Sequence, residues 1–224
     1  MKTIHSIFFT IILATLISIS GSAQNDTSIH IIQLPINYSK ERIDLSIEYL
    51  KTRHGINTSS PTIHPKMIVL HFTGFGTIQT IHAYFNAPTI EESRQINKKV
   101  SALNVGSHYL IDREGSIYQL IPDTLFARHV IGLNYCAIGV ENIGSEKEPL
   151  TEAQVISNAK LVRYLSAKYK MEYLIGHEEY LKFRHSNIWK ETDPKYITIK
   201  NDPGKDFMER VRALTKDLHL KSKP

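Results

Sequence analysis

Cysteine is nearly absent from this chain: one residue, Cys136, among 224. That excludes a disulfide framework and any metal cluster built from several thiolates. A lone cysteine suits an oxidising compartment, in a small buried hydrophobic role. No HExxH occurs, which removes the commonest zinc-peptidase motif. Repeats and low-complexity tracts are also missing, so solenoids and disordered tails are excluded. Charge of one sign is scarce: 27 Lys+Arg against 22 Asp+Glu leaves only +5. Such a mild excess suits an anionic partner without pointing to nucleic acid, and none is expected.

Long apolar runs are limited to one. Residues 7–19, IFFTIILATLISI, follow a short basic start and precede Ser20-Gly21-Ser22-Ala23. The run is about 13 residues, short of the roughly 20 that span a bilayer. A basic start, a short apolar stretch and small residues before the cut describe an export signal cleaved after Ala23. The expected product is periplasmic or secreted, without stable membrane insertion after cleavage. Residues 24–66 read as an N-terminal helical segment and loop, 67–218 as the main domain and 219–224 as a basic tail.

What remains is ordinary globular composition, 42% hydrophobic and 22% charged, in the pattern of one α/β domain. A helix is expected over 39–53, with Ile43, Ile47 and Leu50 on one face. MIVLHF (67–72) reads as a central strand. Residues 77–85 have helical spacing. Residues 107–111 and 116–121 read as strands joined by the turn Asp112-Arg113-Glu114-Gly115. Residues 137–143 form another strand. Thr151-Glu152-Ala153-Gln154 is a capping box opening a helix to about 170. YLI (173–175) is a short strand ending at Gly176-His177, where glycine permits close backbone approach. Residues 178–199 look loop-like, and a last helix follows Asp202-Pro203-Gly204.

Three separated positions suggest a metal. His71 closes the first strand, His177 ends a second, and Asp202 begins the NDPG turn. Two imidazoles and a carboxylate make a zinc set with a fourth position open to water. Taken locally, each also reads as a core histidine or an ordinary turn.

Six segments together resemble the type 2 N-acetylmuramoyl-L-alanine amidases, a family that includes the peptidoglycan recognition proteins. They are VLHFTG (69–74), SHYLIDREGSIYQLIPD (107–123), ARHVIG (127–132), AIGVENIG (137–144), LIGHE (174–178) and KNDPGKDF (200–207). The resemblance implies a central mixed β-sheet flanked by helices, with one Zn²⁺ at the floor of a surface groove. It implies zinc ligation by His71, His177 and Asp202, with catalytic roles for Glu141 and Lys200. It places His129, with Arg128 before it, along the substrate groove. The implied partner is peptidoglycan or a muropeptide, and the implied reaction is hydrolysis of the amide between N-acetylmuramic acid and L-alanine. A non-catalytic peptidoglycan-binding module is the alternative.

Three departures stand out. Residues 180–199 are largely an insertion, aromatic and basic, suited to walling the groove. It carries a second candidate ligand, Asp193, in KETDP; Asp202 is preferred because Gly204 and a helix follow it. Ser107 stands where some relatives carry a tyrosine near the zinc, so tyrosine assistance is not expected. His108 is expected to order the site rather than bind metal.

Overall fold

The computed structural model describes residues 29–91, 94 and 100–224; the expected export signal lies outside them. Six strands form one sheet: β1 (Ile31–Gln33), β2 (Met67–Phe72), β3 (Tyr109–Ile111), β4 (Ile117–Gln119), β5 (Ala137–Asn142) and β6 (Tyr173–Gly176), in the order β1-β4-β3-β5-β2-β6. Only β3 and β4 run antiparallel, joined by the expected Asp112–Gly115 turn; the other neighbours are parallel. The sheet is therefore mixed, as anticipated.

β2 sits inside the sheet, between β5 and β6, and Met67 to His71 are all buried. That explains its unbroken apolar run, since both of its faces are covered. Side chains alternate between the faces. Ile68, Leu70, Ile138, Val140 and Leu174 meet the helices α3 (Glu152–Lys168) and α4 (Lys205–Leu214) through Val155, Leu161, Leu165, Phe207 and Val211. Met67, Val69, Ala137 and Ile175 face the other layer, where Val130, Leu133, Tyr180 and Phe183 cover them. His71 and Glu141 share the parity of that second set, so the sheet delivers them to the side away from α3 and α4.

The capping box at Thr151 forms as expected and opens α3. Helix α2 (Ile78–Asn86) is capped in the same way by Thr77 and Thr80. Helix α1 (Lys40–His54) differs from expectation in its buried face: Arg42, Ser46, Tyr49, Leu50 and His54 are buried, while Ile43 and Ile47 are only partly so. Arg42 can lie inside because its guanidinium donates to the carbonyls of Phe85 and Ala87, both at 2.6 Å. The N-terminal segment also contributes an unexpected strand, β1, parallel to β4. Residues 177–183, expected as loop, form 3₁₀ turns. The tail is held as well: Lys221 bridges to Tyr173 of β6. Among the described residues no helix is long and apolar enough to cross a membrane.

Candidate metal centre and cleft

β2 and β5 are paired so that His71 stands directly beside Glu141, at the carboxyl ends of both strands. β6 pairs with β2 over Met67–Leu70 and ends at Gly176, which sets His177 next to His71. Gly176 is tightly enclosed: a Cβ there would lie 3.0 Å from both Met208 Cγ and Pro203 Cδ. The close approach expected of this glycine brings the DPG turn against the end of β6. The Glu178 N–H donates to the Asp202 carbonyl at 2.9 Å and holds the turn there.

Three ligand atoms converge as a result. His71 Nδ1 lies 2.9 Å from His177 Nδ1 and 3.2 Å from Asp202 Oδ2; His177 Nδ1 lies 3.0 Å from the same oxygen. All three residues are buried. Bonds of about 2.0–2.1 Å at tetrahedral angles separate ligand atoms by roughly 3.3 Å, so the observed triangle is close to what a zinc ion needs. Electrostatics suit a cation. Burial opposes ionisation of Asp202, but the hydrogen bond from His177 and the close approach of His71 win and hold its carboxyl far below the usual range. Burial, reinforced by the neighbouring His71, pushes His177 down to about 4, keeping a lone pair free at neutral pH.

The triangle forms part of the floor of a cleft of about 510 Å³, which Glu141, Lys200, Arg128 and His129 also line. The Glu141 oxygen Oε2 is buried with no hydrogen-bond partner. Burial first, with the charge of Asp202 adding and those of His71 and Lys200 opposing, pushes this carboxyl up to about 7. A group balanced near neutrality and aimed into a cleft is suited to moving protons.

The expected groove residues are both present and both engaged with the protein. Arg128 is buried and donates to the carbonyls of Leu103 and Ser101 at 2.5 and 3.2 Å. His129 bonds to His71 and to the Ala137 carbonyl. His108 orders the site as expected, accepting the Gly139 N–H and bonding to the Leu125 carbonyl. Ser107 turns its hydroxyl back to the Tyr109 carbonyl at 2.8 Å. Cys136 is buried.

Asp193 is elsewhere. Its carboxylate accepts the Lys195 N–H at 2.9 Å and lies 3.9 Å from Arg53. The inserted segment is anchored rather than loose. Lys190 N–H donates to the Gly132 carbonyl, and Thr192 N–H to that of Arg53, each at 3.0 Å. Arg53 pairs with Glu191 at 2.6 Å. Trp189 stacks on Tyr180, ring centroids 5.9 Å apart, and fills a notch over Gly132, where a Cβ would lie 2.7 Å from the indole. The indole therefore turns inward, while Tyr196 and Thr198 line an adjoining recess with Lys200.

Two supports escaped the sequence reading. Glu179 accepts the Gly176 N–H at 2.9 Å and pairs with Lys182 and Arg212, fixing the corner that carries His177. The Asn142 side chain donates to the His71 carbonyl at 2.9 Å and is itself held by Asn158. A buried acid or amide beside a ligand is the only signal either gives, and sequence cannot show the contact.

Comparison with known proteins agrees with this arrangement. The endolysin of Escherichia phage T7 is 31% identical over 96 residues, 40% of this chain and 64% of the endolysin. The match thus spans slightly under two thirds of that relative. The N-acetylmuramoyl-L-alanine amidase LysC from Clostridium intestinale URNW shares the fold, with a TM-score of 0.52 at 22% identity, over 87% of this chain and 100% of LysC. A selenomethionine derivative of AmpD gives 0.52 at 23% identity, over 85% and 97%. The model of the N-acetylmuramoyl-L-alanine amidase family matches residues 61–205, well over half of the sequence and all of the cleft residues named above. The chain belongs to the N-acetylmuramoyl-L-alanine amidase family.

Proposed function

We propose that this chain is an exported, zinc-dependent N-acetylmuramoyl-L-alanine amidase. It hydrolyses the amide between the lactyl group of N-acetylmuramic acid and the L-alanine of the peptidoglycan stem. The observation that carries the reading is the convergence of His71, His177 and Asp202 beside the unpartnered Oε2 of Glu141. Two imidazole nitrogens and one carboxylate oxygen are the donor set of a hydrolytic zinc site. Zinc bound there would lower the pKa of a water toward about 7 and polarise the scissile carbonyl.

The residues of the chain supply the rest. Glu141 takes a proton from the attacking water and delivers it to the departing alanine nitrogen. A C–O bond forms, the C–N bond breaks, and the products are a carboxylate and a free amine. Lys200, on the cleft wall, offsets the negative charge that gathers on the carbonyl oxygen. Arg128 and His129 border the same cleft, where the stem or the lactyl carbonyl would lie. Tyr196 and Thr198 of the inserted segment 180–199 line the recess that adjoins this cleft. Residues 1–23 support export.

Mass spectrometry of a defined muropeptide treated with purified protein tests the bond, and metal analysis of the same sample tests zinc. Release of an intact stem with a free L-alanine amine, and one zinc per chain, is expected. Cleavage within the stem overturns the bond assignment. Binding to sacculi without cleavage identifies a recognition module instead.

A further inference from the structure

His129 makes two contacts that together fix where protons sit. Its Nε2 lies 3.2 Å from the Ala137 carbonyl oxygen, and its Nδ1 lies 3.1 Å from His71 Nε2. A carbonyl only accepts, so Nε2 of His129 carries a hydrogen. A neutral imidazole holds one N–H, which leaves Nδ1 of His129 as an acceptor. The ring lies edge-on between the rings of His71 and His108, with centroids 5.2 and 5.8 Å away. Among the described residues no carboxylate is hydrogen-bonded to it, so nothing nearby supports a second proton.

The acceptor at His129 Nδ1 requires the donor to be His71 Nε2. A neutral His71 with its hydrogen on Nε2 has a bare Nδ1. That is the atom 2.9 Å from His177 Nδ1 and 3.2 Å from Asp202 Oδ2. The chain from a backbone carbonyl through His129 thus ends in a lone pair at the centre of the metal triangle.

The relay is held rigidly. Asn134 Oδ1 accepts the N–H groups of His129 and Val130 at 2.8 and 2.7 Å. The imidazole rests on Gly139 of β5, where a Cβ would lie 2.7 Å from the His129 ring. Val69 pairs with Gly139 and His71 with Glu141, so the floor beneath His129 and the partner it orients are set by one register.

We infer that His129 is a positioning residue that locks His71 in the Nε2–H tautomer and so presents Nδ1 bare to a metal ion. This rests on the metal reading above and adds a function inside the protein to its place on the cleft wall. Ligand histidines oriented through their second nitrogen are a general device, and losing the outer partner typically costs about 10–100-fold in metal affinity.

Two measurements test it. In metal-free protein with ¹⁵N-labelled histidine, long-range ¹H–¹⁵N spectra read the tautomers directly. His71 and His129 are both expected as Nε2–H; an Nδ1–H signal from either overturns the inference, whether or not zinc binds. Chelator competition with Zn²⁺ then reads affinity. His129→Leu is expected to bind zinc about 10–100-fold more weakly. His129→Asn, whose amide oxygen can stand in for Nδ1 as acceptor, is expected within several-fold of wild type. Wild-type zinc affinity in His129→Leu, with only KM altered, assigns the residue to substrate and overturns the proposal. Failure of the wild type to bind zinc sinks the metal reading, while the tautomer spectra still decide the role of His129.

Discussion

His54 gives the sharpest link between acidity and the stability of the fold. It ends α1, is 3% exposed, and sits among the rings of Tyr49, Phe126 and Tyr135 at centroid distances of 5.4, 6.1 and 5.5 Å. Its Nδ1 contacts the Lys190 carbonyl at 3.3 Å, and its Nε2 is buried without a partner. Burial, aided by the charges of Arg53 and Lys190 and opposed by that carbonyl, pushes its pKa down to about 3. An unfolded histidine titrates near 6.5. The unfolded chain therefore takes up a proton that the folded chain refuses. Stability is fully present above about pH 6.5 and falls as the pH drops toward 3. At about 1.4 kcal/mol per pH unit, His54 alone costs about 2 kcal/mol at pH 5. His108, pushed down to about 4 by burial, costs a similar amount. Urea unfolding at pH 7.5 and 5.0, in excess chelator, measures the pH dependence summed over all titrating groups, so His54 is isolated by comparison with a variant. His54→Phe keeps the aromatic enclosure and removes the titration. The loss of the Lys190 contact is independent of pH and cancels in the difference. The variant is expected to lose about 2 kcal/mol less than wild type between the two pH values. Equal losses would show that His54 binds protons alike in both states and refute the reasoning.

Glu141→Gln cannot accept a proton and is expected to lower kcat about 10²–10⁴-fold with metal retained. Because burial holds the Glu141 carboxyl near 7, wild-type rate should fall as the pH drops below that value; the fall should disappear in Glu141→Gln. Lys200→Met should cost about 10²–10³-fold and keep the acid limb. Near-wild-type turnover in either variant removes the corresponding role. Asp202→Ala should lose zinc by metal analysis, whereas Asp193→Ala should keep both zinc and most activity; the reverse pattern moves the ligand into the insertion. Gly132→Ala meets the Trp189 ring and a backbone φ of +77°, a conformation costing roughly 1–2 kcal/mol with a Cβ. The single tryptophan reports the displacement, so an unchanged emission spectrum and unfolding midpoint would contradict the packing described.

The convergence of His71, His177 and Asp202 was legible because each marks the end of something readable: an apolar run, a Gly-His corner, a DPG turn. What escaped has a physical reason in each case. β1 is three residues at the sheet edge, too short for alternation to register. The buried face of α1 is not the one its aliphatic residues mark. Arg42, Ser46 and His54 go inside on hydrogen bonds or aromatic contacts that periodicity cannot see. The aromatic insertion reads in sequence as a wall for the groove, yet Gly132 leaves Trp189 a notch in a distant loop. The coupling of His129 to His71 joins residues 58 apart and exists only once β2 and β5 are in register.

The order of strands bears on how fast such a site can come into being. β2 borders β5 and β6, neither of which neighbours it in the chain, and each pairing closes a long loop before any contact rewards it. Proteins dominated by such distant pairings fold slowly for their size. His71 and His177 are separated by 106 residues, and His71 and Asp202 by 131. No early hairpin or helix can hold even two of these groups together. On the function proposed above, hydrolytic competence is therefore a late event in folding. A nascent chain released only as far as residue 200 has its six strands but lacks the last member of the triangle.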